Sequence, residues 1–149
     1  KRIKRNMTDY KAAGNAFLKQ KEYVKAAEQY TLGIEEDPTN ATLFSNRSLA
    51  YVQSNQADKG FEDAQKVIEL KPEWDRGYLR AGQAKLRKGD FLKCLEMVTK
   101  GLGVVKDHPQ LTALRQHAIQ GLQQQFSQQQ FAQQPPPQQQ QQQQKEEEP

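Results

Sequence analysis

The segments IEEDP (residues 34–38) and IELKP (residues 68–72) decide the fold, because each ends on a proline and Pro38 and Pro72 lie 34 residues apart. The same interval separates large aromatic residues, small residues four positions after them, and further small residues twelve positions later. These three sets are Tyr10, Phe44 and Tyr78; Gly14, Ser48 and Gly82; and Ala26, Gly60 and Cys94. A period of 34 residues with this pattern indicates a helix–turn–helix unit that packs against copies of itself.

Each unit is expected to contain two amphipathic helices. In TDYKAAGNAFLKQ (residues 8–20), apolar or small residues recur at i, i+3, i+4, i+7 and i+8, which is the spacing of a helix with one buried face. The two prolines end the second helix of their units, because proline cannot continue a helix. We therefore predict an all-α fold of three helix–turn–helix repeats, at about residues 7–40, 41–74 and 75–108.

A further helix is predicted after the third repeat. The segment PQLTALRQHAIQGL (residues 109–122) carries one apolar stripe, made of Leu111, Leu114, Ala118 and Leu122. Pro109 suits the first position of a helix, where its missing N–H would have no partner. An array of repeats needs a terminal element that covers its last apolar face. We predict a capping helix over about residues 109–125, which completes a domain of residues 7–125.

The two ends of the chain differ from the repeats in composition. Residues 123–144 contain 15 Gln and three consecutive prolines, with too few aliphatic residues to form a core. We predict that residues 126–149 form a Gln- and Pro-rich tail or linker that is disordered or only transiently helical. Residues 1–6 form a basic arm that begins with KRIKR. Because the chain opens on Lys1, we expect it to be a fragment or a processed form.

Composition argues against several classes of protein. The net charge is +4, and KRIKR alone supplies four cations, so nucleic-acid binding by the repeats is not expected. No apolar stretch approaches the roughly 18–20 residues of a membrane-spanning helix. The single cysteine excludes an internal disulfide and a Cys-based zinc cluster. These features predict a cytoplasmic protein, with access to the nucleus left open, and favour a monomeric repeat domain.

Most other conspicuous residues are explained by packing. Aromatic residues at helical spacing, including Tyr30, are assigned to the core, and Cys94 to a small buried position where it is inert. His108 and His117 have no carboxylate or cysteine partner at metal-ligand spacing. The sequence contains no catalytic constellation and no cofactor motif. We therefore expect a binding protein with no enzymatic activity, cofactor or metal.

Five polar residues on the first helices are not explained by repeat packing. They are Lys11, Asn15, Asn46, Arg76 and Arg80. Lys11 and Asn15 lie one helical turn apart, as do Arg76 and Arg80, so each pair projects from one face. Stacking of the repeats brings the five donors together without an acidic partner in register. Such a set can hold the oxygens of a carboxylate through charge-assisted hydrogen bonds.

A second group of side chains is expected to line the same groove. It consists of Leu18, Leu49, Val52, Gln53, Gln83 and Arg87. Apolar residues beside an anion site suit an extended peptide that ends in an acidic residue, a mode in which the C-terminal carboxylate is captured. The sequence therefore predicts a receptor for acidic peptide C-termini.

Three segments resemble the tetratricopeptide repeat (TPR) domains of chaperone-binding co-chaperones. They are KAAGN (residues 11–15), SNRSLAY (residues 45–51) and KPEWDRGYLRAGQA (residues 71–84). The Hsp-organising proteins are nearest in pattern, and the resemblance covers residues 7 to about 122. It implies that the repeats form a right-handed superhelix. It also implies a dicarboxylate clamp for the C-terminal Glu-Glu-Val-Asp of cytosolic Hsp70- and Hsp90-class chaperones.

The resemblance places the clamp on the five polar residues that packing leaves unexplained. By motif, the clamp residues are Lys11, Asn15, Asn46, Arg76 and Arg80. Arg76 departs from the family, which usually has lysine at that position. The charge is kept, but the longer planar head changes the geometry available for a carboxylate.

Other interpretations stay open at this point. The chain could be the targeting or regulatory module of a larger enzyme, such as a phosphatase or prolyl isomerase. It could be a general TPR scaffold with another acidic partner, or its basic groove could be only solvated. KRIKR and the Gln tract also admit a nuclear or nucleic-acid role. Sequence alone does not separate the two chaperone classes.

Overall fold

A computed structural model of the chain describes residues 6–136. Within them the backbone forms seven α-helices and no strand. The helices are α1 (Met7–Lys19), α2 (Tyr23–Glu36), α3 (Ala41–Gln53), α4 (Ala57–Leu70), α5 (Asp75–Lys88), α6 (Phe91–Val104) and α7 (Pro109–Ala132). Most of the basic arm and the last part of the predicted tail lie outside the described residues.

The helices keep the 34-residue register of the sequence. The first helices of the three hairpins begin at Met7, Ala41 and Asp75, and the second helices begin at Tyr23, Ala57 and Phe91. Helix α7 begins at Pro109, a further 34 residues after the start of α5. Consecutive helices pack together, and α1, α3, α5 and α7 also contact one another in that order. The predicted fold of three helix–turn–helix repeats and a capping helix is confirmed.

The core extends along the array instead of forming one central cluster. Tyr30 and Leu43 are fully buried in the first part, and Val98 and Leu111 in the last. Leu111 belongs to α7, where it packs with the buried side chains of α5 and α6. Helix α7 therefore covers the apolar face that the third hairpin would otherwise expose.

Helix α7 is longer than the sequence predicted. It continues through residues 126–132, past the predicted end near residue 125 and into the segment assigned to the tail. Residues 123–132 are exposed, including Phe126 and Phe131. Packing therefore does not hold this extension. Glutamine is among the better helix-forming residues, and a helix already nucleated on the core can propagate through such a run.

A buried ion pair joins α3 to α4 and α2. Arg47 donates to both carboxylate oxygens of Asp63, at 2.7 Å each, and to the hydroxyl of Thr31 at 3.1 Å. Its guanidinium carbon lies 5.5 Å from the ring centroids of both Phe44 and Tyr51. Arg47 thus has a structural role, in contrast to its neighbour Asn46, which faces α1.

Within residues 6–136, no helix is both long enough and apolar enough to span a membrane. No group of three or more metal-ligating side chains is found in the same range. His108 instead caps α7, because its Nδ1 accepts from the Leu111 N–H at 3.2 Å while its Nε2 lies 2.8 Å from Asp75 Oδ2. Cys94 is fully buried. Its burial, and secondly the charge of Asp90, raise the pKa of the thiol to about 11.

Candidate anion-binding groove

The first helices of the three hairpins share one face, which carries mostly polar side chains and two leucines. Because α1 contacts α3 and α3 contacts α5, residues three, four or seven positions apart on one side of each helix lie beside those of the next helix. We call this face the groove. It consists of Lys11, Asn15 and Leu18 on α1; Asn46, Leu49 and Gln53 on α3; and Arg76, Arg80, Gln83 and Arg87 on α5.

Two of the predicted residues meet directly across the α1–α3 boundary. The Nδ2 of Asn46 donates to the Oδ1 of Asn15 at 3.3 Å, although the residues are 31 positions apart. Both side chains are half-buried. The two amides form one polar cluster on this side of the groove.

Arg80 is held at the α3–α5 boundary by two neutral acceptors. Its Nε donates to Ser45 Oγ at 3.3 Å, and its Nη1 donates to Gln83 Oε1 at 2.9 Å. The residue is only 7% exposed. These bonds fix the plane of the guanidinium and leave its Nη2 without an acceptor within the described chain. The remaining donor is available to a ligand.

The charge of Arg80 has no counter-charge among residues 6–136. It forms no ion pair with any described acidic side chain, whereas the half-buried Arg47 pairs with Asp63. Burial, and secondly the positive charge of Arg76, lower the pKa of Arg80 to about 10. A carboxylate placed here would relieve both effects, because it favours the charged guanidinium.

The other two predicted cations are half-buried and also form no ion pair within the described residues. The guanidinium carbon of Arg76 lies 5.6 Å from the centroid of the Trp74 ring, within the range of a cation–π contact. Lys11 lies on α1, one helical turn before Asn15. The structure therefore leaves Lys11, Arg76 and Arg80 as cations without acidic partners.

The six residues predicted to flank the five donors differ in how far they are exposed. Leu18 and Leu49 are half-buried, Gln53 and Arg87 are exposed, and Gln83 is bonded to Arg80. Val52, the repeat equivalent of Leu18, is less accessible than the other five. It is buried, and a Cβ built on Gly60 would lie 2.7 Å from its Cγ2. Its side chain therefore fills the close approach between α3 and α4.

Two residues that sequence reasoning did not select take part in the site. Ser45 accepts from Arg80, and the hydroxyl of Tyr30 donates to Asn15 Oδ1 at 2.6 Å. A signal for Tyr30 was present in the sequence, because the residues 34 and 68 positions later are the much smaller Ala64 and Val98. Ser45 has no comparable signal, since a buried serine in a helix is ordinary.

No protein-family model matches the chain, but individual proteins do. It is 36% identical over 104 residues to the STIP1 homolog of Dictyostelium discoideum, covering 70% of this chain and 18% of that protein. It is 37% identical over 89 residues to Hsp70-Hsp90 organizing protein 3 of Arabidopsis thaliana, covering 60% of this chain and 16% of that protein. The chain thus spans less than a fifth of the length of these two relatives.

Solved structures share the fold. The Sgt2 TPR domain of Aspergillus fumigatus is 27% identical, with a TM-score of 0.74 over 78% of this chain and 79% of that one. The first TPR of Spaghetti (RPAP3), bound to the HSP90 peptide SRMEEVD, is 24% identical with a TM-score of 0.73, over 78% and 93% of the two chains. The second TPR domain of human RPAP3, in complex with the HSP70 peptide SGPTIEEVD, is 24% identical with a TM-score of 0.70, over 76% and 98%.

Proposed function

We propose that this chain, which is a tetratricopeptide repeat domain similar to those of the Hsp70-Hsp90 organizing proteins, binds the acidic C-terminal peptides of cytosolic heat-shock chaperones. It does so through a carboxylate clamp formed by Lys11, Asn15, Asn46, Arg76 and Arg80. The domain acts by binding and performs no chemistry of its own. The proposed partners imply a cytoplasmic role.

The observation that carries this function is the buried charge of Arg80, which has no acidic partner among residues 6–136. Removing a guanidinium from water without an acidic partner is unfavourable. The fold nevertheless holds Arg80 in one orientation, through Ser45 and Gln83, at the centre of the groove. A ligand that brings a carboxylate supplies the missing counter-charge, and the charge-assisted bonds that form are about twice as strong as neutral ones.

The five donors suit a C-terminal aspartate, which carries two carboxylates close together. The amides of Asn15 and Asn46 form one group of donors, and the guanidinium groups of Arg76 and Arg80 form a second on the neighbouring helix. Lys11 extends the first group by one helical turn. Two groups of donors on adjacent helices can hold two carboxylates, whereas a single carboxylate would leave most of the donors unused.

Two structural neighbours support this choice of peptide. The two RPAP3 domains are bound to SRMEEVD and SGPTIEEVD, which share the ending EEVD. Both have the same arrangement of helices as this chain, with TM-scores of 0.73 and 0.70. Beyond the shared ending, the half-buried Leu18 and Leu49 and the exposed Arg87 are the side chains available for upstream peptide residues.

Calorimetric titration with SRMEEVD tests the clamp. The free acid is expected to bind, and the C-terminal amide to bind at least about tenfold more weakly, because one charge-assisted contact is lost. Lys11→Ala and Arg80→Ala should each remove most of the affinity. Lys100→Ala is the control, since it removes an exposed cation on α6, outside the groove. Added salt should also weaken binding. Equal affinities for the acid and the amide would overturn the clamp.

A further inference from the structure

Tyr30 is the exception in an otherwise small-residue position of the repeat. The equivalent residues of the next two repeats are Ala64 and Val98, and all three are fully buried. The ring of Tyr30 fits because residue 14 is glycine. A Cβ built on Gly14 would lie 2.7 Å from Tyr30 Cδ1, which is too close for ordinary contact.

Packing accounts for the ring but not for the hydroxyl. A phenylalanine would fill the hollow over Gly14 equally well and would not bring a polar group into the interior. A buried hydroxyl is unfavourable unless it is hydrogen-bonded. The hydroxyl of Tyr30 is satisfied by a residue of the groove, since it donates to Asn15 Oδ1 at 2.6 Å.

The direction of this hydrogen bond follows from the surroundings of Tyr30. Burial raises the pKa of the phenol to about 12, with the nearby charge of Arg80 opposing that rise, so the hydroxyl keeps its proton near neutral pH. The positive charge of Arg80 attracts the lone pairs of the Tyr30 hydroxyl oxygen, so these point toward Arg80. The proton is therefore directed away from Arg80 and toward Asn15.

The orientation of the Asn15 amide follows in turn. Its Oδ1 accepts from both Tyr30 and the Nδ2 of Asn46. Its own Nδ2 donates to no acceptor within residues 6–136. An amide turned the other way would leave the buried proton of Tyr30 without an acceptor. Asn15 thus presents an N–H donor, rather than a carbonyl oxygen, to a ligand in the groove.

We propose that the Tyr30 hydroxyl is a positioning group for the carboxylate clamp, which orients the Asn15 amide so that its Nδ2 donates to a peptide carboxylate. This inference rests on the proposed function and adds a residue that never touches the peptide. Tyr30 acts through Asn15, from the second helix of the first hairpin, and without its hydroxyl only the longer bond from Asn46 Nδ2 still holds the amide oxygen.

The test compares Tyr30→Phe with the parent chain, by fluorescence anisotropy on three peptides: SRMEEVD, its C-terminal amide, and SRMEEVN. We define carboxylate discrimination as the dissociation constant of each altered peptide divided by that of SRMEEVD. In Tyr30→Phe, affinity for SRMEEVD should fall about tenfold. If Asn15 holds the C-terminal carboxylate, discrimination against the amide should fall by a similar factor. If Asn15 holds the aspartate side chain, discrimination against SRMEEVN should fall instead. A loss that is merely structural would weaken all three peptides equally.

Tyr78→Phe is the matched control. Tyr78 is also buried, and its hydroxyl donates to the carbonyl oxygen of Pro72 at 2.8 Å, so the variant loses a comparable bond outside the clamp. It should keep the discrimination of the parent. Thermal unfolding of both variants shows whether each remains folded at the assay temperature.

A double-mutant cycle with Asn15→Ala tests the route of the effect. If Tyr30 acts through Asn15, then Tyr30→Phe has no further effect on affinity once Asn15 is alanine. Additive losses would overturn the inference, as would unchanged discrimination in Tyr30→Phe when the parent discriminates. A parent that binds all three peptides equally overturns the proposed function itself, and this inference with it.

Discussion

Arg80 donates from its Nε to the Oγ of Ser45 at 3.3 Å, across a separation of 35 residues in the chain. This bond joins the first helices of the second and third repeats at the centre of the groove. It satisfies one donor of the guanidinium with a neutral oxygen and does not balance its positive charge. Within the described part of the chain, the groove is thus built around a cation that is oriented but has no acidic partner.

Arg80→Met is expected to separate stability from binding. Methionine has a similar length and no charge, so the variant avoids the desolvation of a buried, unpaired cation. The free energy of unfolding in urea should stay equal or rise by up to about 2 kcal/mol. Binding of SRMEEVD should be lost. A fall in stability of more than about 1 kcal/mol would show that Arg80 supports the fold.

Asp63→Ala is expected to be strongly destabilising, because it creates a cation without an acidic partner whereas Arg80→Met removes one. It leaves the half-buried Arg47 without the carboxylate that accepts two of its hydrogen bonds. Breaking a buried pair by removing one partner costs about 3–5 kcal/mol. The double variant Arg47→Met with Asp63→Leu should recover much of this loss, since it removes both charges. Urea unfolding of the three proteins checks the prediction, and equal stability of Asp63→Ala and the parent would contradict it.

Asn15→Asp is expected to abolish binding while the domain stays folded. Aspartate has nearly the same shape and can still accept from the Tyr30 hydroxyl and from Asn46 Nδ2. It replaces the donor in the groove with a second acceptor and a negative charge, which repels a peptide carboxylate. Affinity for SRMEEVD should drop at least about 100-fold. Calorimetry measures the loss, circular dichroism checks the helix content, and binding within a few-fold of the parent would exclude a donor role for Asn15.

Two glycines with different surroundings should respond oppositely to alanine. Gly14→Ala forces a Cβ against the Tyr30 ring, and we expect it to destabilise the domain by about 1–3 kcal/mol. A Cβ on Gly103 meets no atom within 4 Å, so Gly103→Ala should stabilise α6 by up to about 1 kcal/mol. Urea unfolding measures both. The prediction is wrong if the two variants shift stability in the same direction.

The raised pKa of Cys94 predicts a pH dependence of stability. Between about pH 9 and pH 11 the thiol ionises in the unfolded chain but keeps its proton in the folded one. The unfolded state therefore binds fewer protons, and the unfolding free energy falls as pH rises, by at most about 1.4 kcal/mol per pH unit. The unfolding free energy of Cys94→Ala should fall less steeply over the same pH range. In this variant residue 94 is alanine, as is Ala26, its equivalent in the first repeat. If the unfolding free energies of the two proteins fall in parallel as pH rises, the raised pKa of Cys94 is contradicted.

The local pattern of the sequence was sufficient to predict the helices and their 34-residue register. The 34-residue period depends on side chains that meet within a hairpin or between adjacent hairpins, so spacing along the chain predicts which helices pack together. It also brought Asn15 and Asn46 to one place. The end of α7 was missed because composition alone does not show that a Gln-rich run continues a helix already anchored on the core.

By itself, the sequence determined the repeat, the order of its helices and the set of polar residues on their first-helix face. Those features depend only on periodicity. Tertiary structure alone decided that Val52 packs against Gly60, that Arg47 is paired and Arg80 is not, and that the Tyr30 hydroxyl reaches Asn15. The physical reason is that hydrogen-bond direction and charge balance depend on which atoms lie within about 3 Å of one another, and residues 15 to 35 positions apart come that close only in the folded chain.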